Sequence, residues 1–260
     1  MEKNAQKPRL CAAYCKNTEL SGMKRHLPNA ITLLNLFLGC CAIVSLCYGQ
    51  FASAIWLILA CILADYADGL VARALNVHSE LGKQLDSLAD VVSFGVVPGV
   101  IFYQLLLIGL GREEATGLEY AALPAFVLSA FSCLRLAKFN LDTRQEDGFL
   151  GLPTPSSTMF AVGLLVIQQY DSLGLGGLVV APAFLYLCIG LLSFLLVSEI
   201  PMFSLKLKSF RWAGNEEKLG FVALSFAIIA LTREAALSFI ILLYIGISLL
   251  RYLARKAKPA

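Results

Sequence analysis

Apolar residues occur along this chain in long blocks separated by short polar breaks. The blocks cover residues 27–48, 51–70, 87–110, 118–137, 154–170, 177–197, 219–231 and 235–253. A helix needs about 20 mainly apolar residues to cross a bilayer. Hydrocarbon leaves backbone polar groups no partner but each other, so such blocks form helices. The pattern predicts an all-α, polytopic membrane helix bundle of about eight transmembrane helices, the seventh being the shortest. No break is long enough for a separate soluble domain. The expected organisation is a basic N-terminal tail over 1–26, one membrane domain over 27–253 and a basic C-terminal tail over 254–260. The first tail is polar, lacks the pattern of a cleaved signal peptide and is expected to be disordered.

Composition agrees with the pattern. The chain is 58% hydrophobic and only 15% charged, with a mean hydropathy of +0.74, whereas soluble domains carry about 25% charged residues. A soluble globular protein is excluded. Charge then orients the bundle. Of the 21 Lys and Arg residues, all but Arg112 and Arg233 fall in the two tails, in every second loop or, like Arg135 and Arg251, at the block ends beside them. Basic residues concentrate on the cytoplasmic side, so both termini are expected there, in the cell (inner) membrane. The same charges suit anionic lipid headgroups; membrane lipids are expected partners, and nucleic acid is not. Cys40, Cys41, Cys47, Cys61, Cys133 and Cys188 lie in apolar blocks, where cysteine behaves as a small hydrophobe. Cys11 and Cys15 lie in the tail, and with two histidines in the chain a structural zinc site lacks ligands.

One stretch breaks the apolar logic. DYADGLVARALNVHSELGKQLDSLAD, residues 65–90, puts four aspartates at the edge of the predicted hydrocarbon layer, on the side expected to be cytoplasmic. A carboxylate in a membrane helix costs at least about 2.5 kcal/mol on insertion scales and reads as functional. Asp65 and Asp68 are spaced i, i+3 on the second helix; Asp86 and Asp90 are i, i+4 on the third. Both spacings share a helical face. A short turn between the helices makes them antiparallel neighbours, with the four carboxylates converging between them. Four like charges repel unless cations neutralise them. Aspartate oxygens are hard ligands that suit Mg²⁺ or Mn²⁺, and two such ions would clamp a phosphoryl group. Gly69, Ala72 and Gly82 let a backbone or a flat group approach closely, and Arg73 can pair with a phosphate. Two other readings stay open on these residues: an ordinary solvated helix end, and an ion or proton path in a transporter.

The spacing Asp65-x2-Asp68-Gly69-x2-Ala72-Arg73-x8-Gly82-x3-Asp86-x3-Asp90 resembles the signature of the CDP-alcohol phosphotransferase family at every fixed position. The resemblance implies a homodimeric membrane enzyme that displaces CMP from a CDP-linked lipid with an alcohol. It implies that the four aspartates hold two divalent metals, Mg or Mn, and that Asp90 is also the base. It assigns Gly69, Ala72 and Arg73 to the nucleotide-binding part.

Three further stretches bear on the acceptor. LPNAITLLNLFLG, residues 27–39, starts a helix at Pro28 and repeats Thr32, Asn35 and Gly39 at near-helical spacing. SFGVVP, residues 93–98, follows Asp90 by one turn; RLAKFN, residues 135–140, precedes GLPTPSS, residues 151–157, whose prolines start the fifth helix. Together these resemble the membrane-embedded phosphatidylserine synthases of bacteria and archaea, except that Lys138 stands where that group usually has arginine. The implied substrates are CDP-diacylglycerol and L-serine. Thr32, Asn35, Asp68, Gly69, Ala72, Arg73 and Gly82 are the expected CDP-lipid residues; Ser93, Arg135 and Lys138 are the expected serine residues. Arg135 and Lys138, at i, i+3, are expected to share a face. Glycerol 3-phosphate and inositol phosphate would also want cations and stay as alternative acceptors. The charged loop 142–149 is expected to cover the site as a lid.

Overall fold

A computed structural model describes residues 7–77, 79–112, 117–141, 150–203 and 216–256, with the backbone alone for 7–25, 217 and 255. The proposed lid, 142–149, and the side chains of Cys11 and Cys15 lie outside the described residues. The chain forms ten α-helices there: α1 Lys7–Cys47, α2 Phe51–Ala74, α3 Glu80–Asp90, α4 Val97–Gly109, α5 Ala125–Leu141, α6 Thr154–Tyr170, α7 Gly176–Val179, α8 Pro182–Val197, α9 Glu216–Thr232 and α10 Ala236–Lys256. No strand occurs among the described residues, only an isolated bridge between Leu150 and Pro201.

Five runs are long and apolar enough to cross a membrane: His26–Cys47, Phe51–Ala74, Glu80–Gly109, Tyr120–Leu141 and Lys218–Ala254. The sequence pattern predicts eight. The difference lies in α6 and α8, which have 17 and 16 residues, and in α9–α10, which count as one run. That run is interrupted at Arg233, whose φ is +46°, and α9 packs back on α10. The protein is therefore an all-α, polytopic helical bundle.

Two expectations about boundaries change. The helical backbone of α1 begins at Lys7, not near residue 27, and Pro28 sits inside it. Proline there removes the amide hydrogen that would bond back to residue 24. The third span is also not one regular helix over 87–110. It starts at Glu80 and contains a π-helical turn, Val91–Val96, between α3 and α4.

That turn has an identifiable cause. Pro98 has no amide hydrogen, so Phe94 O loses the donor that an α-helix would supply. The Thr158 hydroxyl of α6 donates to Phe94 O at 3.3 Å instead, and the Ser129 hydroxyl of α5 donates to Gly95 O at 2.8 Å. Small residues allow this approach: a Cβ on Gly95 would already touch Ser132 Cβ at 3.4 Å. π turns are often found at functional sites, and this one begins one residue after Asp90.

The Glu80–Gly109 run is 61% buried, against 33% or less in the other four long spans, which places α4 at the centre. It packs on α1, α5, α6 and α8. α6 brings a continuous buried stretch to this core, Phe160 to Leu165. Gly109, at the end of α4, lies so close to Val180 that an added Cβ would overlap the Val180 carbonyl. Backbone cannot yield as a side-chain tip can, so Gly109→Ala is expected to destabilise the bundle by about 1–3 kcal/mol. A lower thermal unfolding midpoint in detergent checks this.

Candidate active site

The chain reverses between α2 and α3, and their aspartates meet. Single oxygens of Asp65, Asp68 and Asp86 lie within 4.8 Å of one another. Asp90 stands beside Asp65 at hydrogen-bonding range. Its Oδ1 is buried and has no hydrogen-bond partner. Asp68 is 6% exposed, and the Thr32 hydroxyl of α1 donates to its Oδ2 at 2.6 Å. Pro28 O lies 3.1 Å from the same hydroxyl. A hydroxyl has one proton, and the charged acceptor at the shorter distance takes it. No Lys or Arg forms an ion pair with these four aspartates among the described residues.

α2 and α3 barely touch each other directly; α1 packs on both. The expected convergence of carboxylates between the two helices is met by Asp65, Asp68 and Asp86. The carboxylates bridge the gap, and the rest of the gap is a cavity of about 470 Å³. Its walls come from α1 (Pro28, Asn29, Thr32), from α2 (Asp68, Gly69, Ala72), from Val77 and Ser79 in the turn, and from α3 (Glu80, Gly82, Lys83, Asp86). Ser79 caps α3 by accepting the Gly82 amide hydrogen at 3.0 Å. A Cβ on Gly82 would stand 3.0 Å from Ser79 Oγ and 3.1 Å from Asn29 Oδ1, so a side chain there would fill the cavity wall.

The expected nucleotide residues divide. Thr32, Asp68, Gly69, Ala72 and Gly82 line the cavity with Asp86. Arg73 does not; it is exposed, and its Nε donates to Gly69 O at 3.0 Å. Asn35 lies one turn beyond Thr32 on α1 and is fully buried, with neither side-chain polar atom partnered. Its backbone carbonyl accepts from the hydroxyl of Ser93 at 3.3 Å. Gly39 makes room for that contact, since a Cβ there would come within 2.6 Å of Ser93 Oγ.

The expected serine residues divide more sharply. Arg135 is 7% exposed and within electrostatic range of Asp90. Its Nη1 donates to Thr154 Oγ1 at 3.5 Å. Lys138 is exposed, so the two cations do not share a buried face. Ser93 is buried against α1 rather than open to the cavity.

Sequence reasoning missed Asn29, Ser79, Glu80 and Lys83 in the cavity wall. Asn29 is spaced i, i+3 from Thr32, a signal that helical periodicity offers. Lys83 also ties α3 to α5: its Nζ donates to Asn140 O at 3.4 Å, and the Asn140 amide donates to Ser87 Oγ at 2.7 Å.

The donor set fits a divalent cation. Hard oxygens converge without compensating cations, and the buried Asp90 Oδ1 has its lone pairs free. A membrane bundle with an acidic cluster at the wall of a cavity defines a class of integral-membrane enzyme. The CDP-alcohol phosphatidyltransferase profile matches residues 25–189, and the chain belongs to that family. Over 144 residues it is 38% identical to the CDP-diacylglycerol–serine O-phosphatidyltransferase of Helicobacter pylori, covering 55% of this chain and 58% of that protein. It is 36% identical over 137 residues to the Bacillus subtilis protein of that name, covering 53% and 73%. The Mycobacterium leprae protein so named is 34% identical over 184 residues, covering 68% and 57%. The chain thus spans less than two thirds of the Helicobacter relative's length.

Proposed function

We propose that this protein transfers a phosphatidyl group from CDP-diacylglycerol to L-serine, giving phosphatidylserine and CMP. The observation that carries the proposal is the cluster of Asp65, Asp68 and Asp86 at the wall of a 470 Å³ cavity. The names of the relatives support serine as acceptor.

The chain's own residues have definable tasks in this reaction. The cavity between α1, α2 and α3 takes the cytidine diphosphate, with Gly69 and Gly82 leaving room for close approach. Asp65, Asp68, Asp86 and Asp90 would hold Mg²⁺ or Mn²⁺, which, when bound, neutralises diphosphate charge and stabilises departing CMP. Thr32 fixes the Asp68 carboxylate by its hydrogen bond. Asp90 takes the serine hydroxyl proton on Oδ1, the oxygen that has no protein partner. An alcohol is a weak nucleophile at neutral pH and needs such a base. The serine oxygen then bonds to the phosphorus that carries the lipid, and the bond from that phosphorus to CMP breaks. Arg135 is the cation placed to meet the serine carboxylate; Lys138 and Ser93 stand further from this role. Asn35 and Arg73 stay proposed CDP-lipid residues on the family signature alone. The charge distribution supports a cell-membrane protein with its termini and site facing the cytoplasm, and the family supports a homodimer.

The test is CMP release by purified protein in detergent with CDP-diacylglycerol and Mn²⁺. L-serine, glycerol 3-phosphate, inositol phosphate and no acceptor are compared. Release driven mainly by serine is expected. Release driven by another alcohol replaces the acceptor; no release from a folded sample favours the transporter reading.

A further inference from the structure

Lys83 stands on the cavity wall among carboxylates and pairs with none of them. Asp68, Glu80 and Asp86 line the same cavity, and Lys83 is the one Lys or Arg among the described residues that do. Glu80 and Asp86 are its i−3 and i+3 neighbours on α3, spacings that allow an ion pair on a helix. No such pair occurs among the described residues. The Lys83 ammonium donates instead to Asn140 O at 3.4 Å, in the last turn of α5. Carbonyls there have no helical partner of their own. The bond is longer than an ordinary N–H···O bond, and it is exposed.

A shorter bond joins the same two helices without the ammonium. The Asn140 side-chain amide donates to Ser87 Oγ at 2.7 Å, and the Ser87 hydroxyl donates to Lys83 O at 3.1 Å. The tie between α3 and α5 therefore does not need the Lys83 charge. The position of that charge along α3 has another use. Asp86, which gives an oxygen to the carboxylate cluster, lies three residues further on, about 4.5 Å along the axis. Gly82, beside Lys83, faces Ser79 Oγ and Asn29 Oδ1 across the cavity wall. An anion that reaches from the aspartate cluster past Gly82 comes within one helical turn of Lys83. An ammonium is a point charge with three donors on a flexible stem, so it turns from Asn140 O to such an anion at little cost.

We propose that Lys83 is a further substrate-binding residue, its ammonium meeting the cytidine-side phosphate of the CDP-lipid and staying with it as CMP departs. This inference rests on the reading of the cavity as the CDP-lipid site and deepens it; it does not depend on serine as the acceptor. The carboxylates in the wall repel a phosphate. Lys83 is the protein's own positive charge at that wall, placed for the group that leaves.

The experiment measures CMP and cytidine binding by equilibrium dialysis, with the full chain in detergent and Mn²⁺. Wild type is compared with Lys83→Met, Lys83→Arg and Asn140→Ala. Lys83→Met keeps the stem and removes the charge. It is expected to weaken CMP binding roughly tenfold, the effect of one hydrogen bond to a charged group, and to leave cytidine, which has no phosphate, unaltered. KM for CDP-diacylglycerol is expected to rise with it, and KM for L-serine is not. Lys83→Arg is expected to retain most of the CMP affinity. Asn140→Ala removes the 2.7 Å tie without touching the cavity wall and is expected to bind CMP as wild type does. An equal loss for CMP and cytidine overturns the proposal, because a phosphate contact cannot produce it. So does an equal loss of CMP affinity in Asn140→Ala, which marks Lys83 as a tie between helices. If wild type binds no CMP, the CDP-lipid reading fails and this inference fails with it. If wild type binds CMP and Lys83→Met matches it, Lys83 alone is removed from the site.

Discussion

Asp90→Asn is expected to lower CMP release by about 10²–10⁴-fold, the contribution of a positioned base. The substitution keeps the shape of the side chain and removes its ability to take a proton. Oδ1 of Asp90 is buried and unpartnered, so nothing nearby substitutes for it in that step. Asp86→Asn should be similarly damaging, because Asp86 belongs to the three-carboxylate cluster and also lines the cavity. Stability should move the other way. With divalent ions chelated, the four aspartates repel one another in a partly buried site. Each Asp→Asn change relieves part of that repulsion and should raise the thermal midpoint in chelator. Near-normal turnover in either variant would rule out the proposed mechanism. Loss of activity together with a lower midpoint would point to misfolding instead.

Chelation is expected to have the other large effect. EDTA should abolish CMP release, and Mn²⁺ or Mg²⁺ should restore it. A second readout does not depend on turnover. A ligand that binds only the folded state stabilises it by about 2.7 kcal/mol at a hundred times its Kd. For a chain of this size that corresponds to a rise of roughly 5–10 °C in the unfolding midpoint. The rise should be missing in Asp65→Asn and in Asp86→Asn, since both remove an oxygen of the cluster. Full activity in EDTA would exclude the divalent-ion reading.

Much of this site is visible in the chain as written. Asp65 and Asp68, and Asp86 and Asp90, are spaced so that any helix presents each pair on one face. Thr32 is likewise placed on α1 by simple periodicity, and it does meet Asp68. Arg135 and Lys138 show the limit of the same logic. Residues three apart on a helix differ in direction by about 60°. That angle is enough for one to be buried and the other exposed when the edge of a contact falls between them. Sequence spacing says they are near each other; only the packing around α5 says which one faces Asp90.

The sequence by itself determined that this is a membrane helix bundle and that its chemistry lies in residues 65–90. Both follow from local physics: hydrocarbon thickness sets the apolar run length, and helical pitch sets which carboxylates share a face. The tertiary structure alone decided the rest. It opened the gap between α2 and α3 by packing α1 on both, and that gap is the cavity. It placed the hydroxyls of Ser129 and Thr158 where they hold the π turn after Asp90. These features depend on which helix meets which, and the periodicity of one helix carries no information about its neighbour.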